Sequence, residues 1–405
     1  MGFSHGKRSK PLLHVVMNYS LIPLIKSASL VFSGLRHGKA KAGHRRLVPY
    51  EERLRRNRAA AVPTFPSMTP HLSRSASTIV SALVVCASRV FGLVLPMVVL
   101  LSGCTTLKHT AIDKLGDTLA SGGTAFSGDD DPQLIASAAP FSLKMMESLL
   151  AERPQHRGLL LATASGFTQY GYAFVQMEAD ELEGTDMAAA SARRDRARRL
   201  YLRARDYGLR GLAVTHADFA QKLRADPIAA VKVCGRDDVP FLYWTAASWA
   251  AAISIKKDRP DLIADLPLME ALIDRALALD EAYDRGAIHN LLISYEMARS
   301  GAPGDPAERS RAHFERAVAL GGGLEASPLI AFAESVCVAK QDRTRFIALL
   351  REALAINLDA RPESRLVNVI MQRRASRLLE HIDDLFLPAA EPETPPSPKS
   401  ITSIP

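Results

Sequence analysis

The chain has 405 residues, enough for one large or two ordinary domains with ample core, and its formal net charge of +8 points at first to an anionic partner. The charge is unevenly spread: 15 of the 51 Lys and Arg and 2 of the 43 Asp and Glu precede Cys104, so that leader carries +13 and the remainder −5. A mildly acidic body offers no basic face to phosphates, which excludes nucleic acid as the expected partner.

Residues 1–67 mix Lys/Arg clusters with short apolar pieces and hold no periodicity. They read as a disordered basic extension, or as sequence ahead of a later start at Met68. From Met68 a signal peptide is expected over 68–103. His71 and Arg74 give a basic opening, Ser75–Ser88 is uncharged, Arg89 interrupts, and Val90–Gly103 is a 14-residue apolar core. That length suits a signal peptide and falls short of the roughly 20 residues a membrane span needs. Leu101-Ser102-Gly103-Cys104 resembles a bacterial lipobox, in which the cysteine thiol accepts diacylglycerol and the bond before it is cut. The competing reading is a span from Ile79 to Leu101, which would put Arg89 inside the bilayer at a cost of about 2.5–3.5 kcal/mol. Thr105 stands where Asp would favour inner-membrane retention, so Cys104 is expected to anchor the protein to the outer membrane, facing the periplasm, with 104–131 as linker.

From Pro132 to about Leu387 the sequence reads as all-α. Pro and Gly fall between apolar-periodic segments, and no alternating strand pattern lasts five residues. The first helix should start after SGDDDP, with Asp capping and Pro132 in the first turn. Further helices are expected at 158–183, 188–207, 208–225, 240–257, 266–279, 287–300, 306–320, 327–340, 343–356 and 362–384. Within 188–207, ARRDRARR reads as a solvated face. The phrases DRALALD, ERAVALG and REALAIN are versions of one another, and their alanines, Ala276, Ala317 and Ala353, recur at intervals of 41 and 36. This approaches the period of about 34 of tetratricopeptide repeats, so a helix-turn-helix repeat array is expected, with alanine where paired helices approach closely. The Pro/Ser-rich stretch 388–405 reads as a disordered tail. Cys234 and Cys337 read either as two separate buried thiols or as a disulfide.

The motifs of phosphate loops, zinc proteases and serine hydrolases do not occur, and the cysteine spacing fits no zinc motif. The acidic pairs Asp237–Asp238 and Asp383–Asp384 fall at helix ends, where capping explains them. No catalytic residue, metal or cofactor is therefore expected, and the protein reads as a non-enzyme. Its alternative role is an envelope scaffold that uses its repeats to bind other proteins.

Three segments carry a more specific likeness: LLLATASGFTQYGYAFVQ (Leu159–Gln176), VPFLYWTAASWAAAIS (Val239–Ser254) and ALIDRALALDEAYDRGAIHNLLISYE (Ala271–Glu296). Together with the lipobox and SGDDDP they resemble the T component of tripartite ATP-independent periplasmic transporters, often called TatT. The resemblance implies a periplasm-facing lipoprotein with helical repeats around a central cleft or pore. It also implies association with the transporter's soluble substrate-binding protein, a small organic or apolar ligand, and no catalysis. Oligomeric state stays open. Helical spacing then nominates a groove lining. Gln169, Tyr172 and Gln176 form a stripe of amides and a phenol, apart from the apolar stripe Phe167, Tyr170, Gly171 and Phe174. In the second segment Trp244 and Ser248 share a face, with Tyr243 beside them, whereas Trp249 lies on another face with Phe241 and Thr245. His289 reads as structural.

Overall fold

The computed structural model describes residues 110, 112–119, 123–256 and 259–388, and every regular element among them is helical. The leader, Cys104 and its flanks, and the tail beyond Pro388 lie outside these residues.

Helix α1 (Pro132–Glu152) begins as its sequence dictates. Asp131 accepts hydrogen bonds from the N–H groups of Gln133 and Leu134 at 3.0 and 3.1 Å, and Pro132 occupies the first turn, where its missing N–H costs nothing. Ile135, Leu143 and Leu150 face the core, while Leu134 and Phe141 remain 57% and 69% exposed. Helix α2 (157–182) runs as α-helix over Arg157–Gly171, opens into a π-helical turn at Tyr172–Gln176 and resumes at Met177–Leu182. Helix α3 (Met187–Thr215), capped by Asp186, packs along it. A break expected near Gly208 does not occur: α3 runs straight through it. Gly208 and Gly211 are there because α6 (Val239–Ile255) lies against them. A methyl at Gly211 would sit 1.9 Å from the Phe241 ring, and one at Gly208 would sit 2.1 Å from the Thr245 hydroxyl. The short helices α4 (Phe219–Ala225) and α5 (Pro227–Lys232) lie between α3 and α6 in the chain.

The rest of the chain continues the pattern of helix packed on following helix: α7 (Leu266–Leu279), α8 (Ala287–Glu296), α9 (Pro306–Gly321), α10 (326–340, with a π turn at Ala333–Cys337), α11 (Arg343–Leu354) and α12 (Arg365–Glu380). The three phrase alanines, Ala276, Ala317 and Ala353, are all buried. The helices approach closely beside Ala317: its Cα lies 3.2 Å from where a Cβ would stand on Gly286, which has φ +92°.

Two large apolar clusters result. Leu159, Leu160, Leu212, Phe241, Leu242, Trp249, Ile273 and Leu292 belong to the first, and Met177, Ile293, Phe314, Phe346, Leu350 and Phe386 to the second. Helix α8 joins them through consecutive residues, Leu292 to one side and Ile293 to the other. Each such side chain contributes on the order of 1.5–3 kcal/mol by leaving water. Cys234 and Cys337 are free, buried and in different clusters, so they are two separate thiols. Helix α12 then returns to the start of the body. Arg365 donates to the Gly128 carbonyl at 3.2 Å, Arg373 to Gln133 at 3.2 Å, and Arg377 to the Asp180 carbonyl at 3.0 Å.

Candidate functional site

The two π turns and the returning α12 meet in one place. A π turn holds one more residue than an α turn and re-aims the side chains around it; such turns occur often at functional sites. In α2 the turn carries Tyr172 and Gln176. The Tyr201 hydroxyl on α3 donates to Gln176 Oε1 at 2.7 Å. In α10 the turn carries Glu334, which Arg374 of α12 grips with both arms, Nε to Oε2 at 3.0 Å and Nη2 to Oε1 at 2.7 Å. The same guanidinium reaches Asp180 of α2 at 3.3 Å. Asp180 also accepts from Arg194 of α3 at 3.1 Å, and Arg194 bonds Glu183 at 2.7 Å. Four helices are thus tied through one charged network, and side-chain exposure is only 11% at Arg374 and 14% at Glu334.

The electrostatics act on the phenols and on Arg374. Burial pushes the Tyr172 hydroxyl up, Arg374 pulls it down, and Glu334 and Asp180 push it up further. Burial drives Tyr201 well above the usual phenol range. Burial alone would lower Arg374, but Glu334, Tyr172 and Asp180 outweigh it and hold the guanidinium charged. Both phenols therefore stay protonated as hydrogen-bonding groups, and the carboxylates are engaged by guanidinium groups. Phenol and amide groups beside the apolar side chains of Phe174 and Val175 suit binding rather than proton transfer.

The six nominated residues divide. Tyr172 and Gln176 belong to this network. Gln169 lies one turn earlier, on the exposed side of α2. Tyr243, Trp244 and Ser248 belong to the first apolar cluster and its surroundings. Tyr243 is buried edge-on to Trp244 at 4.9 Å and beside Tyr283 at 5.4 Å, and burial raises its hydroxyl. Trp244 is half-buried, whereas Trp249 is fully buried and donates to Asp265 at 3.2 Å. Ser248 is buried and donates to the Thr245 carbonyl at 3.0 Å within its own helix. The stripe ARRDRARR is not wholly a solvated face, since Arg194 turns into the network. Sequence reasoning missed Asp180, Arg194, Tyr201, Glu334 and Arg374. Only Glu334 left a signal: a lone charge inside the apolar run AFAESVCV (Ala331–Val338).

The family model of the TRAP transporter T-component matches residues 128–386, from just before α1 to the end of the second apolar cluster. The chain belongs to this family. The interior network described above lies wholly inside the matched span of this T-component, whereas Cys104 lies outside it. An uncharacterised protein of Treponema pallidum (strain Nichols) is 30% identical over 306 residues, which is 71% of this chain and 94% of that relative. As a T-component, the protein is an accessory of a tripartite transporter and works with that transporter's other components in a periplasmic or membrane-associated setting.

Proposed function

We propose that this T-component is a lipid-anchored carrier: a tetratricopeptide-like helical array, closed by α12, that holds a small organic ligand in an interior cleft and docks the transporter's substrate-binding protein. The observation that carries the reading is the meeting of the two π turns with Arg374, inside the span that matches the family. An envelope scaffold needs a solid core. It has no use for two widened helical turns around protonated phenols and an amide. The ligand would lie against Phe174 and accept or donate through Tyr172 and Gln176. The anchor would be acylated Cys104, set in the outer membrane, and tethering there raises the local concentration of partner and cargo. The role is positioning, without catalysis.

Native mass spectrometry of the purified full chain, alone and with the substrate-binding protein, tests it. A recurrent small molecule is expected, lost in Tyr172→Phe/Gln176→Leu while the protein–protein complex persists. A chain that carries no small molecule and captures only proteins would reduce the role to scaffolding. Peptide mass at Cys104 tests the anchor separately; an unprocessed, unacylated cysteine would remove the assigned location.

A further inference from the structure

Three different ligand-bearing side chains converge from separate elements beside the start of α6. His216 ends α3, Cys234 follows α5, and Asp238 closes the short 3-10 turn (Arg236–Asp238) that leads into α6. One potential ligand atom of each lies within 4.8 Å of the others. His216 Nε2 and Asp238 Oδ2 are 2.8 Å apart. From this geometry we infer a binding site for a divalent transition-metal ion, zinc by chemical class, ligated by His216 Nε2, Cys234 Sγ and Asp238 Oδ2.

The donor set fits. Imidazole, thiolate and carboxylate are the three kinds of protein ligand that zinc takes, with bonds of about 2.0–2.3 Å. A tetrahedral site with such bonds separates its ligands by roughly 3.3–3.8 Å. The His216–Asp238 pair would open by less than 1 Å and the widest separation would close by about 1 Å, shifts within the reach of side-chain torsions. The surroundings already hold the ligands in place. Gly235 N–H donates to Asp238 Oδ2 at 3.0 Å, and Arg157 holds Oδ1 at 3.0 Å, leaving an Oδ2 lone pair to turn toward an ion. Arg275 fixes the Cys234 carbonyl at 2.7 Å. Supporting bonds of this kind orient metal ligands and tune them.

The fourth position has a natural source. His216 is also a wall of an open groove of about 380 Å³, with Phe219, Lys222, Asp226 and Val233 around it. Solvent water from that groove would complete the coordination, as in open zinc sites. The competing use of the trio is a Cys-His-Asp nucleophile. That reading is weaker, because Cys234 is almost fully buried and burial, with the Asp238 charge behind it, pushes its thiol up to about 12. A metal changes this: the S–H bond breaks, the sulfur pair forms the metal–sulfur bond, and the proton leaves to solvent. Thiolate and carboxylate then balance the divalent charge. Pairing by spacing alone could not have found the site, because its ligands are of three kinds, eighteen and four residues apart.

The test uses the full chain stripped of metal and titrated with Co²⁺, whose thiolate complexes absorb in the near ultraviolet by charge transfer and in the visible with tetrahedral intensity. Both bands should appear at one ion per chain and disappear on adding Zn²⁺. Cys234→Ser should abolish the charge-transfer band, and His216→Ala should weaken binding by about tenfold or more. Cys337→Ser, which removes the other buried thiol of the body, should leave the spectrum unchanged. Far-ultraviolet circular dichroism establishes that each variant is folded, and Zn²⁺ should raise the melting temperature of the parent chain but not of Cys234→Ser. Absence of a charge-transfer band at stoichiometric Co²⁺, or its survival in folded Cys234→Ser, would overturn the proposal.

Discussion

Replacing Arg374 by methionine tests whether the buried charge network closes the body. The substitution keeps most of the side-chain volume and removes the guanidinium. Glu334 loses its two-armed partner, at 2.7 and 3.0 Å. Asp180 loses the 3.3 Å contact but retains Arg194 at 3.1 Å, so the damage centres on Glu334. Breaking a buried pair by removing one partner costs about 3–5 kcal/mol, and the residual exposure of 11–14% here argues for the low end, about 3 kcal/mol. For a body of this size about 1 kcal/mol moves the melting temperature by about 2–4 °C, so a drop of about 6–12 °C is expected in a thermal scan. The control is Arg374→Met/Glu334→Leu, which replaces the pair with apolar groups. It should recover much of the loss, since well-packed apolar pairs often match buried ion pairs. A drop below about 2 °C for the single variant would refute the reasoning. So would a double variant less stable than the single, because then the carboxylate would be contributing without the guanidinium.

Three further outcomes are expected. Gly211→Ala should destabilise the chain by up to about 2 kcal/mol in urea titration, the overpacking of about 1–3 kcal/mol against the Phe241 ring being offset by a gain of about 1 kcal/mol in helix propensity; Gly184→Ala, with open space around it, should be neutral or slightly stabilising. His289 and His313 face each other, Nδ1 to Nδ1, at 2.8 Å, and burial pushes both imidazoles down, Glu281 opposing this at His289 and Glu296 at His313, with Arg316, Arg299 and Arg309 adding to it. The unfolded chain therefore binds more protons than the folded one below about pH 6.5, so stability should be fully present above that pH and fall as pH drops through it, and His313→Gln should flatten that slope in urea midpoints measured across the range. Cys234 and Cys337, both buried with thiols pushed up to about 12, should resist alkylation in the folded chain at mildly alkaline pH and react at once after unfolding, as peptide mass will show; rapid labelling of either in the native state would contradict their burial.

Much of the helical frame was legible because its causes are local. The Asp131–Pro132 start, the boundaries of α7 and the burial of Ala276, Ala317 and Ala353 each follow from a few neighbouring residues. Gly208 misled for an informative reason. A glycine inside a helical pattern reads as a break, yet here it serves a contact with Thr245, far off in sequence on α6. The stripe Gln169, Tyr172, Gln176 is divided for a related reason. Ideal helical spacing puts all three on one face, and the π turn that begins at Tyr172 shifts the register so that only two of them reach the network.

Composition and periodicity alone determined that the body is all-α, where most helices lie and that small residues mark their closest approaches; the letters of three specific segments gave the resemblance to the family that the family model then showed. These depend on interactions over three or four residues, or on the identity of letters, and both are written along the chain. Only the tertiary structure decided that Arg374 would meet Glu334 and Asp180, 40 and 194 residues away, and that His216, Cys234 and Asp238 would converge. A charged side chain carries no sign of its distant partner. The partner is chosen by how whole helices pack, and that packing is set by the sum of many weak apolar contacts rather than by any one residue.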